Sequence, residues 1–299
     1  VPYWGSPLLP AVPTVVTVHD IIPLLLPAYR GGLLVRLYAR LVSASARRAE
    51  LVLTDSRASK RDIEHHLGLP PSRVRCVYLA AGDHFDWRPD KSDEETRKQY
   101  GVQGRYVLYL AGHDVRKNVA GLLRAFATVA QAGDDVTLVI GGSIPRIDRS
   151  ASLGRGESPL YNPRPLIESL GIAGRVRLIG WVEEAHKPAL YRGAACAVFP
   201  STYEGFGLPV LEALACGAPL VTSSTSSLPE LVGEAGFAVD PQSPDELAGA
   251  ILSCLMDQSL AQELARRGPE QAARFSWSRT ASETLEVYHQ ALSRAEASS

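Results

Sequence analysis

Residues 203–221 read YEGFGLPVLEALACGAPLV. The apolar run CAVFPS at 196–201 leads into it and predicts a buried strand. A turn carrying Glu204 follows, then Gly205-Phe206-Gly207, and a helix is expected from about Leu208. Pro209 falls in the first turn of that helix, where a missing N–H costs nothing. Gly217 is placed to end it as a left-handed cap, and PLVTS at 219–223 is the next strand. Strand, glycine turn, helix and strand make one unit of a parallel α/β sheet. Glycines in the turn let the backbone come close to a ligand. The unpaired amides and the dipole at the start of the helix favour an anion such as a diphosphate. Glu204 lies before the helix and Glu212 in its second turn, so the two can flank a ligand held at that terminus. Two carboxylates beside a phosphate are unfavourable unless they accept hydrogen bonds from hydroxyls, which a sugar and a ribose supply.

Strands and helices alternate outward from this stretch in both directions. Toward the N-terminus lie strand 106–112, helix 118–131, strand 136–140 ending in Gly-Gly-Ser, a Ser/Pro/Arg/Gly-rich loop 144–163, helix 164–170, strand 175–179 and helix 186–194. Beyond the stretch come helix 244–256, opened by a Ser243-to-Glu246 capping box, and a last helix over 278–293. Before residue 82 the pattern is strand 14–18, helix 33–48, strand 50–56, a helix opened by a Ser59–Asp62 capping box and ended by Gly68, and strand 73–80. Residues 82–95, with Pro89 and the charge run DKSDEE, read as a solvated interdomain linker. The division is therefore a partial first domain over 1–95, a second over 96–275 and a terminal helix in 276–299. Both sheets are expected to be parallel with right-handed crossovers. Three strands are few for a doubly wound domain, so the rest of the first domain is expected to precede Val1.

Composition narrows the function classes. The chain has 299 residues, 45% hydrophobic, with a formal net charge of -1. That length suits two domains, and the balanced charge gives no reason to expect nucleic acid as a partner. No apolar run reaches the roughly 18–20 residues of a membrane span, which leaves room for peripheral membrane contact. Cys76, Cys196, Cys216 and Cys254 lie far apart without metal-ligand spacing, and three of them sit in apolar surroundings. A reduced, cytoplasmic compartment fits them. Lys117 follows the end of strand 106–112, at the crevice where such sheets bind ligands; alone it reads as an ordinary helix-start lysine. His19 ends strand 14–18 and is followed by Asp20.

As a set, these motifs closely resemble the family-four glycosyltransferases. The signature of that family is two glutamates with seven residues between them, as at Glu204 and Glu212. The resemblance extends to TVVTVHDIIP (14–23), LTDSRASKRDI (53–63), HDVRKN (113–118), RVRLIGWV (175–182), SSLPELVGEAG (226–236) and FSW (275–277). It implies the GT-B fold: two Rossmann-like domains facing across a cleft, the first incomplete here, with the last helix crossing back. It implies that Glu204 meets hydroxyls of the donor sugar, that the amides of Gly205, Phe206, Gly207 and Leu208 hold sugar and diphosphate, and that Glu212 takes the ribose hydroxyls. Lys117 matches the basic residue that neutralises the diphosphate, and His19 would face the sugar from the opposite wall. Where many relatives carry an arginine, this chain has Gly112-His113, and His113 is either a donor contact or a turn residue. Trp181 and Val182 would lie against the base, or Trp181 is a core aromatic.

The implied reaction moves a hexose from a nucleoside diphosphate to an acceptor hydroxyl with retention at the anomeric carbon. The HD-x-x-P region and the Ser-Ser-Leu-Pro-Glu segment resemble bacterial mannosyltransferases of surface polysaccharide pathways. GDP-mannose is thus the leading donor, ahead of UDP-glucose, with a glycan or lipid-linked acceptor. No Asp-x-Asp occurs in the chain, and Lys117 with the helix terminus can neutralise the leaving group, so no metal or other cofactor is expected. The family's Gly-rich loop after the first strand is absent from these residues, which predicts donor binding with very weak transfer. The competing readings are a non-catalytic sugar-nucleotide-binding module and a sugar-nucleotide epimerase of the same architecture.

Overall fold

The computed structural model describes residues 7, 8, 11–29, 31–133, 135–143 and 160–298. The first residues of the chain and most of the expected loop 144–163 lie outside these. The N-terminal part contains β1 (Val15–Thr17), α1 (Ile22–Leu25), α2 (Leu33–Arg48), β2 (Leu51–Thr54), α3 (Arg57–Leu67) and β3 (Val74–Cys76). The three strands form a parallel sheet in the order β1-β2-β3, with Val16 opposite Val52 and Val52 opposite Val74. Their β-branched side chains pack with Val18, Ile21, Ala46, Ile63 and Leu67. The helix expected from a Ser59 cap starts earlier. Ser56 is the cap and accepts from the Ser59 amide at 2.9 Å, which puts Ser59 inside the first turn. Gly68 ends the helix at φ 63, as its position predicts.

The second part runs α4 (Asp93–Gln99), β4 (Arg105–Leu110), α5 (Val119–Gln131), β5 (Val136–Gly141), α6 (Arg164–Ser169), β6 (Val176–Gly180), α7 (Lys187–Arg192), β7 (Cys196–Phe199), α8 (Leu208–Ala215), β8 (Leu220–Ser223), α9 (Leu228–Val232), β9 (Phe237–Val239), α10 (Pro244–Met256) and α11 (Gln258–Ala272). All six strands are parallel, in the order β6-β5-β4-β7-β8-β9. Along β4, Tyr106, Leu108 and Leu110 enter one core while Val107 and Tyr109 enter the other. A strand buried on both faces needs helices on both, as a parallel sheet provides. The chain steps from β4 outward to β5 and β6, then returns to lay β7 on the other side of β4. The order therefore reverses between β4 and β7, and the crevice beyond the C-terminal ends of those two strands is where such sheets bind ligands.

Two expectations need correction. The run DKSDEE is not simply solvated: α4 starts within it, and Asp93 is buried against Arg192 at 2.5 and 2.8 Å. A charge run read as surface hides a paired carboxylate because the partner lies 99 residues away. The elements α9, β9 and α11 were not expected. In α11 the Gly268-Pro269 pair reads as a breaker, yet α11 packs so tightly on α8 that a Cβ at residue 268 would lie 2.9 Å from the Leu214 carbonyl oxygen. Finally α12 (Trp277–Ser298) crosses back to the first sheet, where Val287 and Ala291 pack with Leu51, Leu53 and Val77.

Candidate active site

The segment after β4 makes a short 3-10 turn over 115–117. Asn118, at φ 54, then caps α5 by accepting from the Gly121 amide at 3.2 Å. That turn aims Arg116 and Lys117 at the segment after β7, where Glu204 is buried. Lys117 Nζ lies 2.6 Å from Glu204 Oε1, and Arg116 Nη1 lies 2.5 Å from Glu204 Oε2. Burial pushes the Glu204 carboxyl up, but Lys117 and Arg116 outweigh it and hold the group below the usual glutamate range. Burial works against the Arg116 charge in the same way, and Glu204 and Asp114 reverse the sign. Asp114 receives the Arg116 Nε at 3.2 Å and the hydroxyl of Tyr29 from the first domain. Arg116 has no separate place in the sequence-derived set, although it stands beside Lys117 in the RKN triplet; only the fold shows that both cations reach one carboxylate.

The glycine turn is gripped from both domains. The Ser56 and Ser59 hydroxyls, at the start of α3, donate to the Gly205 carbonyl at 2.7 and 3.0 Å. Ser227 donates to the carbonyls of Glu204 at 3.0 Å and Phe206 at 2.5 Å, while Ser226 accepts from the Glu204 amide at 2.9 Å. A Cβ at residue 205 would meet Asp20 at 3.0 Å, so the HD segment lies directly over the turn. Burial pushes the Asp20 carboxyl up, against the Ile22 amide and the nearby Arg116. His19 Nδ1 is 2.5 Å from Asp55 Oδ2, so a buried carboxylate orients the imidazole. These hydroxyls and Asp55 sit in the quoted motifs, but a serine in a helix cap carries no sign of which distant carbonyl it serves.

Gly207, at φ 114, is the N-cap of α8. A Cβ there would also lie 2.6 Å from Leu228, so glycine is required on two counts. Leu208 and Pro209 open the helix with no side-chain cap; Pro209 has no N–H, and the Val210 amide donates to the Gly207 carbonyl at 2.9 Å. The helix ends at Cys216, with Gly217 left-handed at φ 70. Phe206 is buried between Tyr78 and Phe275, at 6.2 and 6.4 Å between ring centroids.

Glu212 is buried but stands apart from the Glu204 cluster. Tyr191 donates to it at 3.2 Å, and Lys187 lies at 3.5 Å. Burial pushes its carboxyl up, with Lys187 opposing. Trp181 is 72% exposed on the turn after β6 and is not a core residue, while its neighbour Val182 is buried. Gly112 accepts from the Tyr109 hydroxyl at 2.6 Å. His113 is buried, with neither ring nitrogen hydrogen-bonded among the described residues, and burial holds its pKa below the usual histidine value. Its carbonyl accepts from the Tyr161 amide at 2.6 Å. Among the described residues no cluster of three or more metal-ligating side chains occurs.

Two parallel Rossmann-like sheets, joined across a crevice and strapped by a returning terminal helix, are the GT-B arrangement of glycosyltransferases. Solved structures agree on that fold. HepE from Anabaena, solved with UDP and glucose, aligns with a TM-score of 0.75 at 24% identity over 93% of this chain and 71% of its own. Sucrose-phosphate synthase from Thermosynechococcus elongatus gives 0.75 at 23% identity over 94% of this chain and 68% of its own. Residues 92–271 match the family model for Glycosyl transferases group 1, and residues 2–80 match that for Glycosyltransferase Family 4. The chain belongs to this glycosyltransferase family. It is 34% identical to O-antigen chain mannosyltransferase B of Escherichia coli, over 92% of this chain and 69% of that one. It is 28% identical to the serotype-specific mannosyltransferase WbdA of Escherichia coli, and covers 33% of that longer protein.

Proposed function

We propose that the chain transfers a hexose, with mannose from GDP-mannose the leading candidate and UDP-glucose second, to a hydroxyl of a glycan or lipid-linked acceptor, with retention at the anomeric carbon. The observation that carries this reading is the buried Glu204, held ionised between Lys117 and Arg116 where the sheet order reverses. An ionised carboxylate in such a crevice accepts hydrogen bonds from sugar hydroxyls. The two cations beside it meet negative charge as it builds on the leaving diphosphate, together with the amides of Gly205 to Leu208. Preorganised donors of this kind are the main catalytic term in such transfers. Glu212, in its own pocket with Tyr191 and Lys187, is suited to the ribose, exposed Trp181 to the base, and His113 with Gly112 to the donor phosphates. His19, oriented by Asp55, faces the sugar from the other wall. Because Lys117 and the helix terminus neutralise the diphosphate, no metal is required. The compartment that fits is the cytoplasm, at the inner face of a membrane when the acceptor is lipid-linked.

Transfer from GDP-mannose, measured in EDTA, tests the reading. Lys117→Ala should lower kcat by about a hundredfold, the cost typical of losing one preorganised charge-stabilising donor. Full activity in the variant, or strict dependence on manganese, would overturn it.

A further inference from the structure

The cation pair beside Glu204 is not set by the second domain alone. Arg116 Nη1 donates to Glu204 Oε2 at 2.5 Å and to the Tyr203 carbonyl at 3.1 Å, and its Nε meets Asp114 Oδ1 at 3.2 Å. These contacts fix the plane of the guanidinium. Its Nη2 has no partner among the described residues, and the side chain keeps 19% of its surface open. One donor nitrogen is therefore left for a ligand in the crevice. The oxygen that holds Nε has a second donor, and that donor comes from the other wall: Tyr29 gives its hydroxyl to the same Asp114 Oδ1. Tyr29 ends the 3-10 turn Pro27–Tyr29, which follows α1 in the first domain. Burial and the Asp114 contact push its phenol up, so the hydroxyl keeps the proton it donates.

A carboxylate beside a diphosphate site works against the ligand. Its charge repels the phosphates, and it competes with them for Arg116. Two donors on one oxygen spread that charge and leave Asp114 as an anchor rather than a rival. One of the two, Arg116 Nε, lies in the same segment and is always at hand. The other belongs to the facing domain, so it is present only where the two walls meet. We propose that Tyr29 is a positioning residue for the donor: by donating to Asp114 it sets Arg116 with Nη2 toward the diphosphate, so that the charge-neutralising pair is complete only when the first domain has closed on the second. The proposal rests on the donor site put forward above. It assigns Tyr29 and Asp114 no contact with the donor; both act through Arg116.

The test is calorimetric titration of the full chain with GDP in EDTA, with melting temperatures measured alongside. Tyr29→Phe should weaken GDP binding by about threefold or more, the cost of one lost hydrogen bond. Asp114→Ala should weaken it at least as much. Asp114→Asn keeps an oxygen for both donors and sheds the repelling charge, so it should bind GDP as tightly as wild type or more tightly. The double variant Tyr29→Phe with Asp114→Ala decides the matter. If Tyr29 acts through Asp114, the second change adds nothing to the loss of GDP affinity, a non-additivity expected only of residues in one network. A plain staple between the domains would lower the melting temperature of Tyr29→Phe and leave its GDP affinity at the wild-type value, which would overturn the proposal. Additive losses in the double variant would overturn it too, as would an Asp114→Asn loss equal to that of Asp114→Ala. These failures leave the donor site standing, because wild type still binds GDP. Failure of the wild type to bind GDP at all would remove the donor site and this proposal together.

Discussion

The two signature glutamates are alike in the sequence and opposite in the structure. Glu204 is buried with two cations within 2.6 Å, and its carboxyl is held below the usual range. Glu212 is buried with a tyrosine hydroxyl and a lysine at 3.5 Å, and its carboxyl is pushed up. Replacing each with the isosteric amide should separate them. Glu204→Gln leaves Lys117 and Arg116 facing a neutral group, and breaking such a buried pair costs about 3 kcal/mol. Glu212→Gln keeps an acceptor for Tyr191 and removes a charge that burial disfavours, so stability at neutral pH should hold or rise. Thermal melts of the two variants make the comparison; equal losses would contradict it. The pH dependence also differs in sign. The folded chain releases the Glu204 proton more readily than the unfolded chain, so the stability from this group is present above the ordinary value of 4.5 and lost as pH falls through the lower folded value. For Glu212 the folded chain holds the proton more tightly, so stability falls as pH rises from 4.5 through the higher folded value. Acid unfolding should therefore be less steep in Glu204→Gln than in wild type. The family resemblance points to both glutamates; it cannot show the ionisation of either, because Lys117, Arg116, Lys187 and Tyr191 reach them from other elements.

At the scale of elements, the join between the domains is built on the first turn of α3. The Glu230 carboxylate, at the start of α9, accepts from the amides of Arg57 and Ala58 at 2.9 and 2.7 Å. It thus caps a helix of the first domain from the second. Tyr78 donates to the same carboxylate at 2.8 Å, and Tyr203 donates to Asp62 at 2.5 Å. Glu230→Ala should cost about 2 kcal/mol, the sum of a lost cap and a lost hydrogen bond. It should also speed hydrogen exchange at the first amides of α3. Unchanged exchange there would show that the cap is idle. Most strands and longer helices of both sheets were legible because their period reports burial directly, but the fifteen-residue α11 was not, because its Gly268-Pro269 pair reads as a breaker. Short pieces were not: α9 has five residues and β9 three, too few for a period to show. The start of α3 was misplaced by three residues because Ser56 and Ser59 are both good caps, and only the fold shows that Ser59 spends its hydroxyl on Gly205 of the other domain. The Glu230 cap was illegible for the same reason, since the two residues it joins are separated by 173 positions.

For the whole molecule, the strand order β6-β5-β4-β7-β8-β9 marks the crevice where sheets of this kind bind ligands before any side chain is considered. The reversal at β4 and β7 puts Arg116, Lys117 and Glu204 on adjacent strand ends, and the glycine turn into α8 lies beside them. The first domain closes over the same point through Asp20, Ser56, Ser59 and Tyr29. The central claim is that this crevice holds a nucleoside diphosphate by lysine, arginine and helix amides, without a metal. Calorimetric titration of the chain with GDP in EDTA tests it most directly, in wild type and Lys117→Ala. The account predicts binding by the wild type that survives EDTA and weakens by about tenfold or more in the variant, as expected for loss of one charge-assisted contact. Equal affinity in the two proteins, or wild-type binding only after a divalent metal is restored, would contradict it.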